Sequence, residues 1–160
     1  MKKRTVFIGA ILSLIPLGQP FFMKTGLSLS TTGLMLLVPK KVTAESAYFY
    51  DRQGLKEWKN NNFSGAVKNY TKAIELDPYN SRLYGKRGNA YYQLGNFYAA
   101  ISDYNKTLNM DPYDQKIWTF RGFAKEKIGD IKGACNDWRK ASSMGEEFAA
   151  EMLERFCKYD

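Results

Sequence analysis

The sequence predicts an all-α protein built from stacked helical repeats, and three observations support that prediction. The same residue types recur every 34 positions in the second half of the chain, and we call each set of equivalent positions a column. Some columns hold only small residues and others only aromatic residues. In addition, Asp77-Pro78-Tyr79 recurs as Asp111-Pro112-Tyr113. A period of this length is typical of architectures in which each unit buries its apolar face against its neighbours. The columns are Ala66/Ala100/Ala134, Gly54/Gly88/Gly122, Tyr70/Tyr104/Trp138 and Tyr50/Tyr84/Trp118.

Residues 1–44 form a leader that differs in composition from the remainder. The leader holds six bases and no acid, which leaves 18 bases against 16 acids, a net charge of +2, in residues 45–160. A basic start and an apolar run are followed by Val42 and Ala44, two small residues at cleavage-site spacing. We expect an export signal removed after Ala44, which would place the protein in a bacterial periplasm or, in a photosynthetic source, a thylakoid lumen.

Two alternatives for the leader stay open. Residues 5–23 are uncharged, and their length is close to the roughly 20 residues of a membrane-spanning helix, so the leader could be retained as an anchor. Pro16 and Pro20 argue against this, because proline costs about 3 kcal/mol inside a helix. Translation could also begin at Met23, which would give a shorter signal with the same cut.

Within each repeat the sequence predicts two antiparallel helices. Apolar residues recur at spacings of three and four in the second helix, beginning at Phe63, Phe97 and Ile131. Each start is preceded by Asn or Asp, which are favoured N-caps, and Asp-Pro ends the second helix. Asn80 and Asp114 are expected to cap the first helices that follow.

The glycine column lies in the middle of the first helices, where glycine costs about 1 kcal/mol relative to alanine. Three glycines at one position therefore indicate close helix approach. We expect the aromatic residues of the second helices, Tyr70, Tyr104 and Trp138, to fill the space that the glycines and alanines leave.

These columns resemble the tetratricopeptide repeat (TPR) family. The resemblance implies a right-handed α-solenoid in residues 45–145, with three helix-turn-helix units at about 47–80, 81–114 and 115–148, and a capping helix in 146–160. The departures from the family pattern are Gln53, Arg87 and Arg121 in the usual Leu column, Glu57 and Lys125 in the column of Tyr91, and Glu146 in place of the last Pro.

The two cysteines are expected to lie level across the last helical hairpin. Counted from Gly145, Cys135 is 10 residues back and Cys157 is 12 residues forward. In an exported protein such a pair predicts a disulfide, and two small apolar core residues are the alternative.

Enzyme chemistry has no support in the sequence. The chain has no histidine, no Cys-x-x-Cys pair and no Gly-rich phosphate loop, so we expect neither catalysis, nor a bound metal, nor a cofactor. Asp103, Asp111 and Asp114 are interpreted as cap, turn and solvated-face residues. The nearly neutral repeat region also disfavours a nucleic-acid partner.

In the TPR family the first helices line a concave groove that holds a partner peptide or helix. The resemblance therefore implies a mixed aromatic and basic groove suited to an acidic-aromatic partner segment. The family's clamp for a C-terminal carboxylate does not carry over, since Asp51, Leu55, Gly85 and Phe120 occupy its columns. The predicted groove residues are Tyr48, Trp58, Arg82, Lys86, Asn89, Tyr92, Lys116, Phe120, Phe123 and Lys127.

Together these features predict a non-enzymatic, exported adaptor or scaffold that binds another protein. One alternative is an accessory subunit of an envelope or membrane complex whose chemistry lies in a partner. Another is a repeat protein that associates with itself through the uncovered face of its first unit. The membrane is expected to be involved only through an uncleaved leader.

Overall fold

The computed structural model describes residues 40–158, and the structural statements below concern those residues. The predicted leader lies almost entirely outside them, and its cleavage remains a prediction. Within residues 40–158 the secondary structure is entirely helical, with no strand. The helices are α1 Lys40–Lys59, α2 Phe63–Leu76, α3 Ser81–Gln93, α4 Phe97–Met110, α5 Gln115–Lys127, α6 Ile131–Ser143 and α7 Glu147–Phe156.

Each helix packs mainly against its neighbours in chain order. Helices α1 and α2 form the first unit, α3 and α4 the second, and α5 and α6 the third, while α7 closes the stack against α6. The predicted all-α repeat solenoid is confirmed. The predicted cut after Ala44 falls inside α1, which begins at Lys40.

Local capping explains where the second helices begin. The side chains of Asn62, Asn96 and Asp130 accept hydrogen bonds from backbone N–H groups three residues ahead, as predicted. Asp114 caps α5 in the same way. Asn80 occupies the N-cap position of α3, as predicted, but its side chain makes no cap bond; its amide donates to Asp77 Oδ2 at 3.1 Å instead.

The core follows the columns read from the sequence. Tyr70, Tyr104 and Trp138 are at most 2% exposed and lie against the glycines of the paired first helices. A Cβ at Gly88 would lie 2.8 Å from Tyr104 Cε1, closer than real Cβ contacts, so glycine is needed there for the ring to fit. Burying rings of this size dominates the packing energy of each unit.

The arginines that depart from the family pattern form a polar ladder between units. Arg87 makes two bonds of 2.8 Å to Asp103 and reaches back to Thr71 at 3.1 Å. Arg121 repeats the arrangement one unit later with Asp137 and Asn105. Asp103 is only 6% exposed, so its interpretation as a solvated residue is wrong. An isolated buried carboxylate is unfavourable, and each arginine supplies its counter-charge.

The cysteines meet where α7 packs on α6. Cys135 Sγ and Cys157 Sγ lie at bonding distance, and the two Cα atoms are 5.9 Å apart, in the usual range for a disulfide. Cys135 is 1% exposed. The geometry therefore fits the predicted bond, and its formation in an oxidising compartment remains a prediction.

Among the described residues, no helix has both the length and the apolar composition that crossing a membrane requires.

Candidate functional site

A cavity of about 200 Å³ opens at the centre of the groove between the second and third units. Its walls come from the ends of α1 and α3, the middle of α5 and one residue of α4, and they are mostly aromatic. The packing of first helices side by side therefore brings together residues that are distant in sequence. The lining residues are Trp58, Asn89, Tyr92, Gln93, Tyr104, Phe120 and Phe123; we call this the aromatic cavity.

Edge-to-face contacts hold the aromatic walls in place. Trp58 stands against Phe63 with ring centroids 5.0 Å apart, and Tyr92 stands against Phe97 at 5.3 Å. Phe123 packs on Trp138 at 5.5 Å. Such pairs add about 0.5–1.5 kcal/mol beyond the buried area, so the cavity is largely pre-formed. A pre-formed cavity loses little side-chain entropy when a ligand group enters it.

Two amide side chains, Asn89 and Gln93, line the aromatic cavity, and Asn89 has a fixed partner there. Its Oδ1 accepts a hydrogen bond of 2.7 Å from the Tyr104 hydroxyl. Burial, with lesser contributions from Tyr92 and Asp103, raises the pKa of Tyr104 far above its usual value, so the hydroxyl keeps its proton and remains a donor. With Oδ1 held by that bond, the amide N–H groups of Asn89 are the donors that this side chain can offer to a backbone carbonyl of a ligand.

The groove continues toward the N-terminus as a wider, more polar cavity of about 580 Å³, to which Tyr48, Arg82 and Lys86 contribute. Lys86 Nζ bonds both carboxylate oxygens of Asp51, at 2.7 and 2.8 Å. Its charge is therefore already compensated within the chain. Arg82 makes no ion pair with the described residues and is the base that this part of the groove offers to a partner.

The remaining predicted groove residues are two lysines of α5. Lys127 Nζ lies 3.2 Å from Glu126 Oε2, and its positive charge partly offsets the effect of burial, which raises the pKa of Tyr92. Lys127 lines neither cavity, although its charge acts on Tyr92, which lines the aromatic cavity. Lys116 is exposed and lines neither cavity.

Tyr104 is the cavity residue that the sequence interpretation assigned only to the core. Its ring does fill the space beside Gly88, while its hydroxyl reaches the groove and bonds Asn89. A buried tyrosine needs a partner for its hydroxyl, and this need was the available signal. The position of Asn89 one residue after Gly88 is compatible with that role.

Comparison with known proteins agrees with this architecture. A family model described as TPR repeat matches residues 54–95, and one described as Tetratricopeptide repeat matches residues 81–114. No curated protein sequence matches the chain significantly.

Several solved structures are similar over most of their length. The Arabidopsis OM64 TPR domain is 28% identical with a TM-score of 0.70, over 74% of this chain and 99% of that one. The first TPR of Spaghetti (RPAP3), bound to the HSP90 peptide SRMEEVD, is 26% identical with a TM-score of 0.68. The match covers 71% of this chain and 91% of that one.

The second TPR domain of human RPAP3, in complex with the HSP70 peptide SGPTIEEVD, shares the fold at 24% identity and a TM-score of 0.66, over 75% of this chain and 99% of that one. The column pattern, the paired helices, both family models and these structures agree. Residues 54–114 match tetratricopeptide repeat family models, and the fold of the described residues is that of TPR domains.

Proposed function

We propose that this chain is a non-enzymatic, exported adaptor that binds a segment of another protein in its groove. The observation that carries the proposal is the aromatic cavity. It offers concave apolar surface with two amide side chains, Asn89 and Gln93, the usual composition of a site that takes one buried anchor side chain. The bound peptides of the similar RPAP3 domains support the same mode of use.

The partner segment presents an apolar or aromatic anchor with an acidic residue nearby. Phe120 is 37% exposed beside Tyr104, so apolar surface is available at the centre of the groove. Arg82 supplies positive charge toward one end of the groove, whereas Lys127 shares its charge with Glu126. Because Asp51 already compensates Lys86, little charge is left there to hold a terminal carboxylate. We therefore assign the main affinity to the anchor and a smaller part to charge.

A displayed library of random peptides tests this specificity without a known partner. Peptides selected on the full chain should share an aromatic or large aliphatic residue and should bind without a free C-terminus. Phe120→Ala should weaken their binding by about 2 kcal/mol, the size of a hot-spot truncation. Phe120 is preferable to Phe123, which also packs on Trp138 and Phe148.

Tyr98→Ala is the matched control, because Tyr98 is 73% exposed on the second helix α4, outside both groove cavities. It should leave binding unchanged. The adaptor proposal is wrong if both variants bind the selected peptides equally well, or if the selected peptides require a terminal carboxylate.

The export part of the proposal rests on the leader alone and has its own test. N-terminal sequencing of the native chain should find Glu45 as the first residue. An N-terminus at Met1 in a membrane fraction would favour the retained anchor instead.

A further inference from the structure

The two ends of the helical stack expose faces that no other described helix covers. The helices pack in chain order, so α1 forms one end of the stack and α7 forms the other. A repeat array buries its apolar surface between units, and its terminal faces are left to solvent or to a partner. The two terminal faces of this chain differ in charge.

The face of α1 that points away from α2 is basic. Arg52, Lys56 and Lys59 are exposed and stand at positions i, i+4 and i+7, which lie on one side of a helix. Phe49 is 55% exposed beside them. The three bases make no ion pair with any residue in 40–158. We call Phe49, Arg52, Lys56 and Lys59 the basic end face.

The outward face of α7 is acidic and has the same spacing. Glu147, Glu151 and Glu154 are exposed, again at i, i+4 and i+7, and no ion pair joins them to the described part of the chain. Phe148 is 48% exposed next to them. We call Glu147, Phe148, Glu151 and Glu154 the acidic end face.

We propose that the chain associates with a second copy of itself head to tail, with the basic end face of one copy against the acidic end face of the other. On each helix the three charges span about 10 Å at 1.5 Å per residue, so all three can face a counter-charge at once. The exposed phenylalanines add apolar contact. Pairing of two basic or two acidic faces would instead place like charges together.

The opposite charges within each face are few. Glu45 on α1 and Arg155 on α7 are exposed, which leaves the outward faces with net charges of +2 and −2. Exposed ion pairs are individually weak and are screened by salt, so we expect a reversible contact that weakens as ionic strength rises.

A contact between two different faces leaves one face of each kind open at the ends of the assembly. The association is therefore heterologous and can continue, giving a row of copies rather than a closed two-fold dimer. The charged residues of the end faces lie outside the aromatic cavity, while Phe148 contacts the cavity residue Phe123 at 5.6 Å. Charge reversals that leave Phe148 in place therefore test the inference separately from the proposed groove function, and a row of copies would present several grooves side by side.

Charge reversal of the full chain tests this contact. The chain is kept in a non-ionic detergent, which covers the apolar leader, and followed by sedimentation velocity at low and high salt. Wild-type chain should form larger species as concentration rises at low salt. The triple variants Arg52→Glu/Lys56→Glu/Lys59→Glu and Glu147→Lys/Glu151→Lys/Glu154→Lys should each reduce the association constant by about tenfold or more.

Mixing the two triple variants distinguishes this contact from other modes of association. The first variant has two acidic ends and the second has two basic ends, so the mixture should recover association that neither shows alone. The control Lys68→Glu/Lys106→Glu/Lys140→Glu makes the same charge change as the first triple variant, but on the second helices, and should associate like wild type. Circular dichroism of each variant verifies that the helices are intact.

Three results would overturn the proposal. Wild-type chain could remain monomeric at every concentration. Association could survive both reversals, as expected for contact through the leader. The mixture of folded variants could also fail to associate, which would leave the basic end face free for another kind of surface, such as an anionic membrane.

Discussion

The first repeat unit and the two that follow share a helical pair but differ in the polar contacts that hold it. In the second and third units an arginine of the first helix bonds a buried aspartate of the second helix and reaches back to the preceding unit. In the first unit the corresponding residues are Gln53 and Asn69, and the Asn69 amide bonds Gly65 O of its own helix at 3.0 Å. Within residues 40–158 no helical pair precedes the first unit for an arginine to reach.

The turns between paired helices differ in the same way. Gly95 and Gly129 adopt φ of 75° and 83° between the helices of the second and third units. Asn61 occupies the equivalent place in the first unit with φ of 58°. Positive φ is unstrained for glycine and costs energy for residues that carry a Cβ, although asparagine tolerates it better than most.

This comparison distinguishes features that all three units share from features that only the later units have. The aromatic and small-residue columns occur in all three units because every helical pair must fill the same space. The arginine ladder and the turn glycines occur only in the later units, where neighbours on both sides restrain the pair. The difference indicates that stability is concentrated toward the C-terminal part of the stack.

The largest effect is expected at Asp137. Its carboxylate is 3% exposed and pairs with Arg121 at 2.7 Å and Lys125 at 2.9 Å. Asp137→Ala removes the counter-charge of both and should lower the free energy of unfolding by about 3 kcal/mol. Denaturant unfolding measures the loss. The equivalent change in the first unit, Asn69→Ala, should cost less than about 1 kcal/mol; equal losses would contradict the comparison.

Reduction of the Cys135–Cys157 pair should have the next largest effect. The bond closes a loop with a sequence separation of 22, and the chain-entropy model gives such a loop about 3 kcal/mol. Thermal unfolding of the oxidised chain with and without a thiol reductant should show this loss. Alkylation followed by mass measurement verifies the starting state; two alkylated cysteines in the native protein would contradict the bond.

A smaller effect is expected when a Cβ is added in the glycine column. Gly88→Ala forces the new Cβ toward Tyr104 Cε1 and should destabilise the chain by about 2 kcal/mol through overpacking. Tyr104→Leu removes the ring edge, so Gly88→Ala made in that background should cost clearly less. A double-mutant cycle in chemical denaturation gives the coupling; additive losses would show that the ring and the glycine do not compete for space.

The smallest effect is expected in the turns, and its sign differs between units. Asn61→Gly relieves positive φ and should stabilise the chain by about 0.5–1 kcal/mol, whereas Gly95→Ala introduces the strain and should destabilise it by about 1 kcal/mol. The melting temperatures of the two variants, each compared with that of the wild type, test the sign of each change in stability. A destabilised Asn61→Gly chain would mean that the asparagine side chain has a role of its own.

The sequence by itself determined the repeat, the helix pairs, most helix starts and the level placement of the cysteines. These features depend on local chemistry that a single chain shows directly: the 34-residue period, Asn or Asp before each second helix, and Asp-Pro at its end. The contact between the glycine column and the aromatic column could also be predicted from the sequence, because a glycine and an aromatic residue at fixed spacing imply a close helix contact.

Only the tertiary structure decided how polar groups are paired. Lys86 and Asp51 are 35 residues apart, and their bond changes a predicted partner-binding base into a compensated one. Asp103 was interpreted as solvated, although α3 turns Arg87 toward it. The Tyr104 hydroxyl reaches the groove because α3 and α4 of the second unit pack so that it meets Asn89. Such pairings depend on the rotation of neighbouring helices and the reach of flexible side chains, and neither is encoded in residue spacing along the chain.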